Sequence, residues 1–238
     1  MSAFASSRQR VPSAALPDLF ESGVSLALID PADGLTALYD AELPAIATAH
    51  PPRQREFIAG RMAARAAMVA LGTPPRAVPQ GQDRAPVWPQ DLVGSIAHCE
   101  GLCLAAVAPK ATHAGLGVDV EPAQPLPQDL WPEICTSAEL HNLACLPAKV
   151  QGLRATLTFC AKEAAYKCQY VLSHEMFGFD MFTVDVDPVS STFCAIFNRN
   201  SSRFPKGFAL QGRYVVRDGR ILTGVALPAR KTRLQRVH

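Results

Sequence analysis

Two acids two residues apart, Asp119 and Glu121, stand in the run Gly115-Leu116-Gly117-Val118-Asp119-Val120-Glu121. Period-two alternation turns Leu116, Val118 and Val120 to one side of a short strand and both acids to the other. Two neighbouring carboxylates repel unless a positive charge lies between them, and a hard divalent cation takes oxygen ligands. A second polar group lies in Phe159-Cys160-Ala161-Lys162-Glu163-Ala164-Ala165-Tyr166-Lys167. Glu163 and Lys167 have the spacing of an ordinary surface pair on a helix. Set among Phe, Ala, Cys and Tyr, however, Lys162, Glu163 and Lys167 also have the look of a site. Upstream, Arg61 and Arg65 lie one helical turn apart. They make either a solvated basic stripe or a grip on phosphate, which Arg binds through paired donors. Arg84, in a proline-rich connector, and His98, at a strand end, are the remaining candidates.

The elements that must position these residues follow from punctuation and period. Residues 24–29 alternate as a strand and stop at Asp30-Pro31. Residues 43–49 suit a short helix. Residues 53–71 form a long one, opened by Pro51-Pro52 and closed by Gly72 before Pro74-Pro75. Residues 94–98 and 102–107 flank Glu100-Gly101 as a hairpin. Thr136-Ser137-Ala138-Glu139 has the pattern of a capping box, which fully accounts for Glu139. Residues 150–172 are the strongest helix of the second half. Strands follow at 182–186, 192–197, 208–216 and 220–227, the last two joined by Asp218-Gly219. Asp185 and Asp187 repeat the spacing of the first acid pair, on what is best explained as the polar face of an edge strand. Each half therefore runs strand, helix, strands. This order predicts an α+β fold of two similar lobes, residues 1–114 and 115–238, in preference to an alternating parallel sheet.

Composition sets outer bounds. The chain has 238 residues, enough to bury a sizeable core, and a net charge of +2, which does not call for nucleic acid. No run approaches the length of a membrane span. Seven cysteines without framework spacing, and a polar, basic start with no apolar segment behind it, predict a cytoplasmic protein with reduced thiols. His98, Cys99, Cys103, His141 and Cys145 lack the ligand spacing of a structural zinc site. Residues 1–20 and the basic 230–238 are expected to pack loosely or be solvated.

Five blocks in order resemble a known family. Gly117-Val118-Asp119-Val120-Glu121 and Phe159-Cys160-Ala161-Lys162-Glu163-Ala164-Ala165-Tyr166-Lys167 are similar to the two signature blocks of the 4′-phosphopantetheinyl transferases. Ala59-Gly60-Arg61-Met62-Ala63-Ala64-Arg65, Gly81-Gln82-Asp83-Arg84-Ala85-Pro86-Val87-Trp88-Pro89 and Gly94-Ser95-Ile96-Ala97-His98 resemble its enterobactin-synthetase (Sfp-like) type. The resemblance spans roughly residues 53–167. Ala97-His98 stands where the family usually has Ser-His, and Cys160 replaces the commoner serine.

The resemblance implies a pseudo-dimer with its active site in the cleft between lobes. It implies transfer of the 4′-phosphopantetheine arm of coenzyme A to a serine of an apo acyl or peptidyl carrier protein, releasing adenosine 3′,5′-bisphosphate. Asp119, Glu121 and Glu163 would hold Mg²⁺. Glu163, Glu139 or a water would take the serine proton, and Lys162 and Lys167 would stabilise phosphate charge. Arg61, Arg65, Arg84 and His98 would hold the nucleotide end. The second lobe would carry the carrier-protein surface, expected over residues 170–182 with Met176, Phe177 and Phe179 exposed. The expected state is a monomer with no nucleic-acid or membrane partner. A catalytically silent CoA- or nucleotide-binding protein of the same fold and a metal-dependent phosphohydrolase are the competing readings. The pathway served, whether fatty acid, polyketide or siderophore, and the tolerance for acyl-CoA are left open.

Overall fold

A computed structural model describes residues 18–229. The expectations for residues 1–17 and 230–238 lie outside the described residues. The fold is α+β. Strand β1 (Ser25–Ile29) leads through a 3-10 segment (Asp40–Ile46) to helix α1 (Pro51–Ala70). The hairpin β2 (Leu92–Cys99) and β3 (Leu102–Pro109) follows, and β4 (His113–Pro122) opens the second half. An excursion carries two short helices, α2 (Trp131–Ile134) and α3 (Ser137–Ala144). The long helix α4 (Ala148–Ser173) precedes β5 (Phe182–Asp187), β6 (Thr192–Phe197), β7 (Ala209–Arg217) and β8 (Arg220–Pro228).

There are two antiparallel sheets, ordered β1-β3-β2 and β4-β8-β7-β6-β5. In each, the first strand is followed by a long helix. The chain then returns through a hairpin whose last strand pairs with the first. The turns are of the kind the sequence predicted: Gly101 has φ +70°, and Asp218 and Gly219 have φ +50° and +70°.

Helix α1 lays Ala63, Ala64, Ala67 and Met68 on Ala27, Ala105 and Val107 of the first sheet. Helix α4 lays Ala161, Ala164, Ala165 and Cys168 on the second sheet, whose inner face carries Phe182, Phe193, Phe197, Ile221 and Val225. The sheet faces turned away from these helices meet in a shared core. Leu116, Val118 and Val120 of β4 and Leu222 of β8 pack there with Val93, Ala97, Leu104 and Ala106. Leu19 is buried in the same core with Phe20 against it, so loose packing does not extend to these two residues. At the junction β2 and β4 lie side by side, and the Val118 N–H donates to Ser95 Oγ at 3.0 Å. Among the described residues no helix is long and apolar enough to cross a membrane.

Candidate active site

The two glycines of β4 decide how close α4 can come. They share a strand face with Asp119 and Glu121. A Cβ on Gly117 would overlap the Ala164 carbonyl oxygen, and one on Gly115 would lie 2.6 Å from that of Cys168. Backbone atoms at such distances cannot yield, so glycine is required for the helix to rest directly on the strand. The acids two and four residues on are thereby brought beside the α4 turn that carries Glu163 and Lys167.

Lys167 Nζ donates to Asp119 Oδ1 at 2.6 Å. Asp119 is 5% exposed, and its other oxygen, Oδ2, is buried without a hydrogen-bond partner among the described residues. Burial, the largest single effect, would lower the Lys167 pKa, but the charge and hydrogen bond of Asp119 together with Glu163 and Cys160 outweigh it and the net direction is up. Glu121 is pushed up to about 7, first by burial, then by the charge of Asp119, with Glu163 adding and Lys167 opposing. Glu163 is raised too, chiefly by burial, with Asp119 adding to it. The three acids therefore sense one another's charge. Among the described residues, however, no three His, Cys, Asp or Glu side chains stand together as a ready-made metal-ligand group.

A cavity of about 220 Å³ opens beside this cluster, lined from the first half by Arg53, Arg61, Arg84 and His98 and from α4 by Lys167. Arg53 was not among the sequence candidates. It stands two turns before Arg61 on the same α1 stripe, and that spacing was the available signal. Its Nη1 donates to His98 Nε2 at 2.8 Å and lies 3.3 Å from Glu56 Oε2. His98 is lowered from its ordinary pKa, first by burial and also by Arg53, with Glu56 opposing. Arg61 is 6% exposed, lies over the Phe57 ring at 3.9 Å and donates from Nε to Val78 O at 2.7 Å. Burial pushes its pKa down to about 10.

Two expected residues are not brought to this cavity. Arg65 turns inward. Its Nη1 donates to both oxygens of Glu42, which is fully buried and also accepts from the Val78 N–H at 2.8 Å. Arg65 thus neutralises a buried acid that fastens the connector to α1, and the phosphate grip expected of it is not seen. Lys162 is 1% exposed, with Nζ donating to Ile134 O, Glu139 Oε2 and Phe179 O at 2.8, 2.7 and 3.0 Å. All three ammonium protons are used inside the protein, so the structure corrects the expectation that Lys162 faces phosphate. Glu139 is equally committed. It closes the capping box with Thr136, takes Lys162, and accepts from the Val184 N–H at 2.7 Å. Three of its acceptor sites are used inside the protein, and it does not line the cavity beside Asp119.

Of the expected partner surface, Met176 is 81% exposed. Phe177 packs edge-on against Tyr166 and Phe182, and Phe179 against Phe159. These two rings belong largely to the core and do not form an open patch.

Residues 41–108 match the model of the 4′-phosphopantetheinyl transferase N-terminal domain, and residues 115–217 match that of the 4′-phosphopantetheinyl transferase superfamily. The chain belongs to this family. Among individual proteins it is 36% identical to the 4′-phosphopantetheinyl transferase Svp of Streptomyces mobaraensis, over 84% of this chain and 82% of that one. It is 32% identical to the 4′-phosphopantetheinyl transferase PptT of Mycobacterium tuberculosis, over 88% and 94%. Enterobactin synthase component D of Salmonella typhi is 40% identical over about half of each chain.

Proposed function

We propose that this enzyme transfers the 4′-phosphopantetheine arm of coenzyme A to a serine of an apo carrier protein. The carrier oxygen forms a new bond to phosphorus, the pyrophosphate P–O bond breaks, and adenosine 3′,5′-bisphosphate leaves with the electron pair. The observation that carries this reading is the set of basic groups lining one cavity: Arg53, Arg61 and Arg84 with His98 from the first half, and Lys167 from α4 beside the orphaned oxygen of Asp119. A ligand that carries both a phosphorylated nucleotide and a pyrophosphate suits that concentration of positive charge.

The reading divides the chain into two lobes, residues 1–114 and 115–238, related as a pseudo-dimer with the site in the cleft between them. The matching strand orders β1-β3-β2 and β4-β8-β7 support it, with β5 and β6 as an addition to the second lobe. It takes the protein as a cytoplasmic monomer without nucleic-acid or membrane partners.

Asp119, Glu121 and Glu163 fit a Mg²⁺ ion. They offer hard oxygen donors, and a buried carboxylate oxygen without a hydrogen-bond partner is the state expected of a ligand atom. When bound, Mg²⁺ supplies charge neutralisation at the pyrophosphate and acidifies coordinated water. Lys167, already held by Asp119, faces the cavity and neutralises phosphate charge. Arg61, Arg84 and His98, joined by Arg53, bind the nucleotide end. Glu163 is the candidate to accept the serine proton at a carboxylate oxygen, directly or through a water. Lys162 and Glu139 hold the α2–α3 excursion against α4, and Arg65 holds the connector. Exposed Met176 remains a candidate contact for the carrier.

The test incubates the protein with CoA, Mg²⁺ and apo acyl and peptidyl carriers, and weighs the carriers. A gain of one phosphopantetheine is expected on at least one of them. CoA binding without any mass gain would favour a silent binding protein, and release of free phosphopantetheine without a carrier would favour a hydrolase.

A further inference from the structure

Arg84 stands at the tip of a loop that is rigid within itself. The Gly81 N–H donates to Ala85 O, the Arg84 N–H to Gly81 O, and the Ala85 N–H to Asp83 Oδ1, at 2.8, 3.0 and 3.0 Å. Gln80 and Pro86 close its base as a bridge, and Val87 N–H donates to Pro79 O. Arg84 itself has φ +67°, the left-handed region that a non-glycine residue enters at a cost. This turn fixes the direction in which the Arg84 side chain leaves the loop. It does not fix where the loop stands over the cavity.

The base of the loop is fastened to the first half through Val78, and its tip is tied from the other half of the chain. Tyr170 Oη, near the end of α4, donates to Asp83 Oδ2 at 2.8 Å. The Tyr170 ring is itself held in an aromatic row, 5.8 Å from the Tyr166 ring and 5.8 Å edge-on from that of His174. One carboxylate thus does two things: one oxygen shapes the turn, and the other ties it to α4. The same helix carries Lys167 one turn earlier, and Arg84 and Lys167 both line the cavity.

We infer that Tyr170 is a positioning residue for the nucleotide end of the substrate: through Asp83 it holds the Arg84 loop at a fixed distance from Lys167. The proposal rests on the assignment of the cavity to CoA. In it, Arg84 and Lys167 grip one ligand from two lobes, and Tyr170–Asp83 presets their separation before the ligand arrives. Pre-organisation of this kind strengthens binding by removing an ordering cost. The hydroxyl touches no reacting atom, so it acts on binding and leaves the chemical step alone.

The experiment measures KM for CoA, kcat at saturating CoA, and the Kd of adenosine 3′,5′-bisphosphate by calorimetry, on Tyr170→Phe, Arg84→Ala and the double variant. Tyr170→Phe removes one partly exposed oxygen and keeps the ring packing. It should raise KM and Kd about three- to ten-fold, the effect of one lost hydrogen bond, with kcat unchanged and thermal unfolding within about 2 °C of the parent. In the Arg84→Ala background the same change should have less than a two-fold effect, because Tyr170 acts through that side chain. An unchanged KM, a fall in kcat alone, or an equal rise in KM with and without Arg84 overturns the inference. Arg61→Ala separates the two levels of argument. If it leaves KM for CoA unchanged, the cavity assignment fails and takes the inference with it. If it raises KM while Tyr170→Phe does not, only the inference fails.

Discussion

Lys162 and Lys167 are five residues apart on one helix, and the account gives them opposite jobs. Replacing Lys162 by Met should therefore damage the fold before it damages the chemistry. The change leaves Glu139, 4% exposed, without its counter-ion, and takes a donor from Ile134 O and Phe179 O. Breaking a buried ion pair by removing one partner costs about 3–5 kcal/mol. Total stability of a domain is about 5–15 kcal/mol, so this is a large fraction of it. For a chain of this size it corresponds to a fall in Tm of roughly 6–20 °C. The assay is thermal unfolding of both proteins, with KM for CoA measured well below either transition. The expected result is a large fall in Tm with KM near the parent value. A second change, Glu139→Gln, should recover part of the loss, because the amide removes the unpaired charge and still offers one oxygen to the Thr136 or Val184 N–H. Lys167→Met also strips a buried acid, Asp119, of its partner and should cost stability, but unlike Lys162→Met it should change turnover or KM as well, since that lysine lines the cavity. A Lys162→Met protein with Tm within about 2 °C of the parent and a KM raised ten-fold would refute the reasoning and return Lys162 to the phosphate.

Two further predictions follow from the site's construction. Gly117→Ala forces a methyl group into the Ala164 carbonyl, so α4 must lift off β4; we expect loss of activity and a loss of about 3 kcal/mol of stability in urea unfolding. Burial lowers the His98 pKa, so its neutral form contributes stability above the ordinary value near 6.5 that is lost as pH falls through the folded value. A phosphate drawing Arg53 away would raise it again, so binding of adenosine 3′,5′-bisphosphate at pH 6.5–7 should take up a proton. Calorimetry in two buffers of different ionisation enthalpy measures that uptake, and His98→Gln should abolish it.

The site was legible in the sequence where local period determined it. Alternation alone placed Asp119 and Glu121 on the face opposite Leu116, Val118 and Val120, and that face is the one against α4. The hairpin turns were marked by glycine, α1 by the prolines and glycine at its ends, and α3 by its capping box. Long-range pairing was not legible. Arg65 finds Glu42, 23 residues upstream on a 3-10 segment, and no spacing rule announces such a partner. Lys162 and Lys167 looked alike because a helix of mixed small and polar residues does not say which face stays open. The covering of Lys162 comes from α2, α3 and the approach to β5, which lie in proline-rich or irregular stretches without period. Arg53 continues the Arg61–Arg65 stripe of α1 toward its N-terminus through Phe57, and the apolar ring between the charges breaks the basic pattern in the sequence.

The claim on which the rest depends is that β4 and α4 together offer Asp119, Glu121 and Glu163 to one divalent ion beside the CoA pyrophosphate. Manganese titration followed by electron paramagnetic resonance, with CoA present, tests it without relying on turnover. One tightly bound ion per chain is expected, with Asp119→Ala and Glu163→Ala each weakening it at least ten-fold while the variants remain folded. Undiminished binding of the ion to Asp119→Ala would contradict it.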